Sequence, residues 1–228
     1  IQFLYFIVMA VVPEVQRKID ELQNLQHDKL DDLEGECDVK RNAIYEVRTK
    51  IIKEKGPKNF WSLVILAHPD VSGELAGPYD AEILESLTDF SVVFTQEGYK
   101  VTFTFSQNEF FENKELWAQC VDDELTFSGV TWKQGKGPIS DEDDAPKTSD
   151  KKRQREDRGP SLFEVFEEMP PHPEDDEEVD EEVDDEEMEE MVADYEEEIA
   201  DRKEVLKCFV DEIWADPSSI LSEAASCQ

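Results

Sequence analysis
The chain has 228 residues, 39% of them hydrophobic and 36% charged, which suffices for one sizeable domain with appendages. Fifty-eight acids against 23 bases leave a net charge of −35, and nineteen of the acids fall between Glu174 and Asp201, a stretch with no base. The remainder still carries −16, so the whole body repels nucleic-acid phosphates and attracts basic macromolecules, which argues against direct sequence-specific nucleic-acid binding.

The chain opens on an apolar run, Ile1 to Val8, with no basic flank and far fewer than the ~20 residues of a membrane span. No membrane anchor is expected there. Residues 1–9, ahead of Met9-Ala10 or including its start, read as a non-native or disordered leader, with a buried strand as the alternative. Residues 10–55 then form one long helical pattern. Apolar Val12, Val15, Ile19, Leu22, Leu30, Leu33, Cys37, Ile44, Val47 and Ile51 recur at steps of three and four, with Gln26 and Lys40 in the polar slots of the same seam. Two successive fours around Gln26 are a stutter, which locally unwinds a supercoil. Pro13 suits a first turn, Gly56-Pro57 supplies the stop, and Gly35 weakens the middle by about 1 kcal/mol relative to Ala. Such a helix spans roughly 60 Å at 1.5 Å per residue. Its seam calls for a partner helix, most simply the same helix of a second copy. The alternative is a solvent-exposed helix capped by local packing.

Residues 56–216 carry the pattern of a domain. Phe60 to Ala67 is apolar nearly all round, as in a short buried helix, and His68-Pro69 ends it. Asp80 is placed to cap a second short helix through Ile83, Leu84 and Leu87. From Phe90 the period changes to two. Val92 to Thr95 and Tyr99 to Phe105 flank Gln96-Glu97-Gly98 as a hairpin, with Tyr99, Val101, Phe103 and Phe105 on the buried face. Strands are expected again over Glu115 to Val121 and Leu125 to Trp132, which gives an α+β fold with a roughly four-stranded antiparallel sheet covered by helices.

Residues 134–160 are polar and without period, and read as a flexible loop. Ser161 can cap the apolar Leu162 to Phe166, and Pro170, Pro171 and Pro173 prevent the helix from continuing. Residues 170–185 read as a disordered acidic segment. Met188, Val192, Tyr195, Ile199, Leu206, Phe209 and Ile213 return to helical spacing, so the end of the acidic run is expected to form the first turns of a final helix ending near Trp214. Residues 217–228 have little to order them and read as a disordered tail.

Four cysteines, Cys37, Cys120, Cys208 and Cys227, lack CxxC spacing and fit reduced thiols of the nucleus or cytosol. Catalysis finds no support. His27, His68 and His172 have no Cys, Ser or acid beside them in a recognisable motif, and there is neither a Gly-rich phosphate loop nor an EF-hand. Neither cofactor nor metal site is expected.

Five stretches in order resemble one family. Gly56-Pro57-Lys58-Asn59-Phe60-Trp61 with His68-Pro69 resembles the entry into the globular domain of nucleosome assembly proteins, and more narrowly of their SET/template-activating-factor branch. Asn108 to Lys114 is similar to the family's NPFFENK signature, Thr131 to Lys136 to IKWKxGK, Ser161 to Phe166 to SFFTWF, and Asp211 to Trp214 to DDIW. The resemblance implies a homodimer built on the long helix, Val15 to Ile51 forming its seam, with an α/β earmuff domain at each end. It also implies a non-enzymatic nuclear histone chaperone that binds core histones through acidic surfaces and supports nucleosome assembly and disassembly without ATP. The alternative is an acidic inhibitor of a phosphatase or histone acetyltransferase. Three departures stand out: the acidic run precedes the last predicted helix instead of following it, Val165 replaces a Trp, and Ala215-Asp216-Pro217 replaces PNP.

The histone-binding candidates are acids. Glu164, Glu167 and Glu168 match polar positions on the underside of the family's domain. Glu112, Glu115, Asp122, Asp123 and Glu124 surround the third strand, and Glu186, Glu187, Glu189 and Glu190 lie in the acidic run, whose carboxylates can accept charge-assisted hydrogen bonds from Lys and Arg. The bland readings are a solvated helix face and a solubilising linker. Phe110, Phe111 and Trp132 read as core packing. Lys151, Lys152, Arg153 and Arg155 form a basic cluster that suits nuclear import, with shuttling to the cytoplasm as an extension, or else an internal counter-charge to the acidic run.

Overall fold
The computed structural model describes residues 2–137, 161–173 and 185–226. The first helix, α1, runs from Gln2 to Lys55, about 80 Å at 1.5 Å per residue. It therefore includes the residues expected to be a leader, and Pro13 lies inside it rather than in its first turn. The physical reason is that residues 2–12 contain neither Gly nor Pro, nor a polar capping residue that would start the helix later.

Two stripes run along α1. The seam residues Val15, Ile19, Leu22, Leu30, Leu33, Ile44, Val47 and Ile51 all project to solvent in the single chain, Leu22 being 66% and Ile44 69% exposed, and Cys37 is exposed with them. The second stripe, Asp38, Asn42, Tyr45, Arg48 and Ile52, is half-buried. Asp38, Tyr45, Arg48 and Ile52 each come one position after a seam residue, a rotation of about 100°, so one stripe faces the domain while the other stays clear of it.

The sheet is an antiparallel meander in the order β1 (Leu87–Phe94), β2 (Gly98–Phe105), β3 (Glu115–Val121) and β4 (Glu124–Phe127). Register places Phe90 against Phe103, Val101 against Ala118 and Phe103 against Leu116. These residues alternate along each strand with more exposed ones, so one sheet face is buried. Val101, Phe103 and Phe105 are buried as the alternation predicts, and Tyr99 is half-buried at the rim. The fourth strand stops at Phe127 rather than Trp132. Ser128 Oγ accepts from the Trp117 N–H at 3.0 Å, Gly129 turns the chain with φ +68°, and Trp132 reaches a separate bridge with Phe111.

Helices cover the buried face. They are α2 (Phe60–Ala67), a π-helical turn Val71–Leu75, α3 (Asp80–Glu85), a 3-10 helix Leu162–Phe166, α4 (Asp185–Lys207) running on as a π-helical segment Cys208–Trp214, and α5 (Pro217–Ser226). Phe103 lies at the centre, with ring centroids 4.8 Å from Phe90, 5.1 Å from Phe209 and 5.2 Å from Phe166. Each such ring contributes roughly 1.5–3 kcal/mol by burial, and aromatic pairing adds about 0.5–1.5 kcal/mol. Phe110 and Phe111 are buried in the same core, with Trp132 packed edge-on to Phe111. Helix α4 with its π-helical continuation runs from Asp185 to Trp214, as its apolar spacing predicts, although α5 follows it.

Three further expectations need correction. Residues 217–226 are helical, because Asp216 caps the turn and Pro217 stands at its first position, where a missing N–H costs nothing. Residues 134–137 are an ordered turn closed by Lys136 N–H to the Lys133 carbonyl, with Lys136 paired to Glu109 at 2.7 Å. Asp80 caps nothing in its own helix. It is fully buried and accepts from Gly77 N–H (2.8 Å), Leu162 N–H (2.6 Å) and Ser161 Oγ (2.6 Å), so it ties the returning chain to α3. The remainder of the expected loop, with Lys151, Lys152, Arg153 and Arg155, and the acidic residues 174–184 lie outside the described residues.

The half-buried stripe of α1 holds the domain. The Asn42 amide donates to the Phe94 carbonyl (2.8 Å) and accepts from its N–H (3.1 Å), which satisfies the open edge of β1. Arg48 donates to the Trp214 carbonyl at 2.5 Å and lies over the rings of Tyr45 and Trp214, 4.5 and 4.3 Å from their centroids.

Candidate functional site: an acidic groove beside helix α4
Two cavities of about 450 and 300 Å³ adjoin along α4, sharing Leu75, Asp201 and Val205 in their walls. Together they form one groove between α4 on one side and the Val71–Leu75 turn and 3-10 helix on the other. Its floor is apolar, from Leu75, Leu162, Val165 and Val205. Its walls carry eight carboxylates, Asp70, Glu164, Glu167, Glu198, Asp201, Glu204, Asp211 and Glu212, against two bases, Arg202 and Lys207. Arg202 is already tied: it donates to Glu198 at 2.6 Å and to the Glu167 carbonyl at 2.5 Å. The wall is therefore strongly electronegative, while the floor suits the aliphatic stems of long cationic side chains.

Local folding explains how the acids reach the groove. Glu164 completes a capping box, its carboxylate accepting from the Ser161 N–H. Burial raises its pKa, the Ser161 hydrogen bond opposing the shift. Glu167 stands at the end of the same helix and accepts from Trp132 Nε1 at 2.6 Å. Asp201 and Glu204 lie three apart on α4, and Asp211 comes next on the π-helical segment, where burial again raises its pKa while Lys207 lowers it.

At the groove's end His68, Cys208 and Glu212 meet. His68 is 2% exposed; its Nε2 lies 3.1 Å from Glu212 Oε2, and its Nδ1 and Nε2 lie 3.7 and 4.0 Å from Cys208 Sγ. Burial, then Glu212 and Asp70, push the Cys208 thiol up to about 12. Sequence reasoning saw no acid or thiol near His68, because the partners are 140 and 144 residues away.

Of the predicted acids, Glu164 and Glu167 line the groove, and Glu168 is exposed beside it at the end of the same turn. Asp122 and Asp123 form the β3–β4 turn with φ of 50° and 68°, and Asp123 pairs with Lys203 of α4 at 2.8 Å. Glu124 is next, exposed, on β4. Glu115 lies at the opposite end of β3, about 20 Å along the strand, with Glu112 in the loop before it, so these two stand apart from the turn. Glu186, Glu187, Glu189 and Glu190 are exposed on the first turns of α4. Sequence reasoning missed Asp70, Glu198, Asp201, Glu204, Asp211 and Glu212 as groove acids. The successive i,i+3 spacing of Glu198, Asp201 and Glu204 was a usable signal for one face of a helix.

The profile described as "Nucleosome assembly protein (NAP)" matches residues 53–213. NAP1-related protein 2 of Arabidopsis thaliana is 30% identical over 132 residues, covering 54% of this chain and 51% of that protein. Protein SETSIP of Homo sapiens is 29% identical over 153 residues, 64% and 51% of the two chains. The chain thus spans about half the length of the curated relatives it matches. Among solved structures, a malaria parasite nucleosome assembly protein superposes with TM-score 0.59 at 17% identity over 93% of both chains, and the Vps75 histone chaperone with 0.59 at 15% over 95% and 100%. The long helix, the four-stranded meander and the covering helices are therefore a shared fold, and with most of the chain under the family profile, this protein belongs to the nucleosome assembly protein family, on the side of its SET-like members.

Proposed function
We propose that this protein is a histone chaperone acting as a homodimer in the nucleus, without catalysis and without ATP. The observation that carries the reading is the groove: eight carboxylates over an apolar floor, with one of its two bases already paired. Each carboxylate accepts charge-assisted hydrogen bonds from Lys or Arg, and a concave, partly dehydrated wall strengthens them relative to open surface. Glu186, Glu187, Glu189 and Glu190 extend the acidic surface along α4. The exposed seam of α1, from Val15 to Ile51, supports the dimer. The basic residues Lys151, Lys152, Arg153 and Arg155 supply the import signal.

Titration of core histones tests the groove. Replacing Asp201→Asn, Glu204→Gln and Asp211→Asn together should weaken binding at least tenfold, about 1.4 kcal/mol, and reduce its salt dependence while the circular dichroism spectrum is unchanged. Equal affinity in the triple variant would remove the groove from the binding surface. Histone binding too weak to measure in the parent chain would leave the inhibitor reading instead.

A further inference from the structure
We propose that His68, Cys208 and Glu212 form a binding site for one zinc-class divalent cation. They come from two separate parts of the fold: His68 ends α2, and Cys208 and Glu212 lie four residues apart on the π-helical segment. Such wide turns recur at functional sites. One ligand atom from each lies within 4.8 Å of the others. A tetrahedral ion with bonds of about 2.0–2.3 Å holds its ligand atoms about 3.3–3.7 Å apart. The observed 3.1 Å from His68 Nε2 to Glu212 Oε2 and 4.0 Å from Nε2 to Cys208 Sγ bracket that range. Two side chains adjust: a small rotation of Cys208 shortens its 4.0 Å separation from Nε2, and Glu212, whose side chain is 57% exposed, swings outward to admit the ion, while His68 is fixed by burial.

The donor set selects the cation. Imidazole nitrogen and thiolate sulfur favour zinc-class ions, while magnesium and calcium prefer all-oxygen shells. Entry of the ion replaces the hydrogen bond between Nε2 and Oε2 by two coordinate bonds, and the proton that bridged them moves to Nδ1 of the same ring or to solvent. The Cys208 thiol loses its proton to solvent as the metal–sulfur bond forms, and no electron is transferred. Cys208 and Glu212 line the 450 Å³ cavity, which gives the ion a path from solvent. Water from the cavity completes the shell. The bound ion would join α2 to the π-helical end of α4 and place positive charge at the end of the acidic groove.

Titration of the metal-stripped full chain with Co²⁺ tests the site, because cobalt bound to a thiolate gives a sulfur-to-metal charge-transfer band that carboxylates alone do not produce. The expected result is a band saturating at one ion per chain, displaced by Zn²⁺, absent in Cys208→Ser and reached only at tenfold or higher metal concentration in Glu212→Gln. The acidic surfaces bind divalent ions without producing the band. Its absence from the parent chain, or its persistence in Cys208→Ser, would overturn the proposal. Should Cys208→Ser fail to fold, the exposed position 212 decides: an unchanged dissociation constant in Glu212→Gln would also overturn it.

Discussion
Gly35, in the middle of α1, lies directly against the backbone of Gln96, and a Cβ added to it would stand 2.4 Å from the Gln96 carbonyl oxygen. Gln96 also donates from its side chain to the Asp32 carbonyl at 3.2 Å, so the β1–β2 turn is seated on the helix. The glycine that reads in sequence as a weak point is thus the position that lets the domain approach its helix. Gly35→Ala sets a propensity gain of about 1 kcal/mol against a backbone clash that no rotamer relieves. The clash should win by roughly 1–3 kcal/mol, lowering the melting temperature by several degrees in a calorimetric scan. An increase instead would show that the turn is free to lift away.

The reason for Gly35 was not legible in the sequence, because it depends on a contact between residues 61 positions apart. The same is true of Asn42 on the β1 edge and of the His68 cluster. Elements with strong local periodicity were legible: the α1 seam, the inward face of β2 and the last helix. Helix α5 was missed although its signal was local, Asp216 then Pro217 being a standard start, because the polar, small-residue composition of the tail masks its capping chemistry. Glu112, Glu115 and the Asp122–Asp123 turn were grouped by nearness in sequence, whereas the strand between them carries them to opposite ends of the sheet. The groove acids come from α4 and its π-helical continuation, the 3-10 helix and the start of the Val71–Leu75 turn, which meet only in the fold.

The α1 seam predicts a dissociable dimer. Leu22 and Leu33 are both more than half exposed in the single chain, so charges there leave the domain intact. Between two helices the same charges would be buried without partners, at a cost of several kcal/mol. Leu22→Asp with Leu33→Asp should run as a monomer by light scattering at low micromolar concentration. A persistent dimer would place the interface elsewhere.

Asp216 should make α5 sensitive to acid. Its carboxylate accepts from the Ser219 N–H (3.1 Å) and from the hydroxyls of Ser218 (2.8 Å) and Ser219 (2.7 Å), which hold its pKa down at about 2. A depressed folded pKa contributes stability that is complete above the unfolded value near 3.9 and is lost as pH falls toward 2. The melting temperature of Asp216→Ala should therefore lie below that of the parent at pH 6, and the gap should close between about pH 4 and pH 2. A gap independent of pH would assign the effect to helix propensity rather than to the charged cap.

The two halves of α4 should differ in stability, and a basic partner should reduce the difference. Toward its end the helix is fastened: Arg202 reaches Glu198 and the Glu167 carbonyl, Lys203 reaches Asp123, and Leu206 is fully buried. Toward its start Met188, Met191, Val192 and Tyr195 are only half-buried, with the His172 ring 5.1 Å from Tyr195. Along this half Glu190 precedes Asp194, and Asp194 precedes Glu198, by one turn. Like charges at that spacing cost about 0.2–0.5 kcal/mol each, so these turns open more readily than those near Leu206. Histone cations placed among the carboxylates would remove the repulsion and raise the cost of opening. Amide exchange from Met188 to Ile199 should accordingly slow several-fold when core histones are added, while exchange around Leu206 to Phe209, already protected by the core, should barely change. Uniform slowing across α4 would mean that the partner stabilises the whole domain, and no slowing at either end would mean that the first turns take no part in binding.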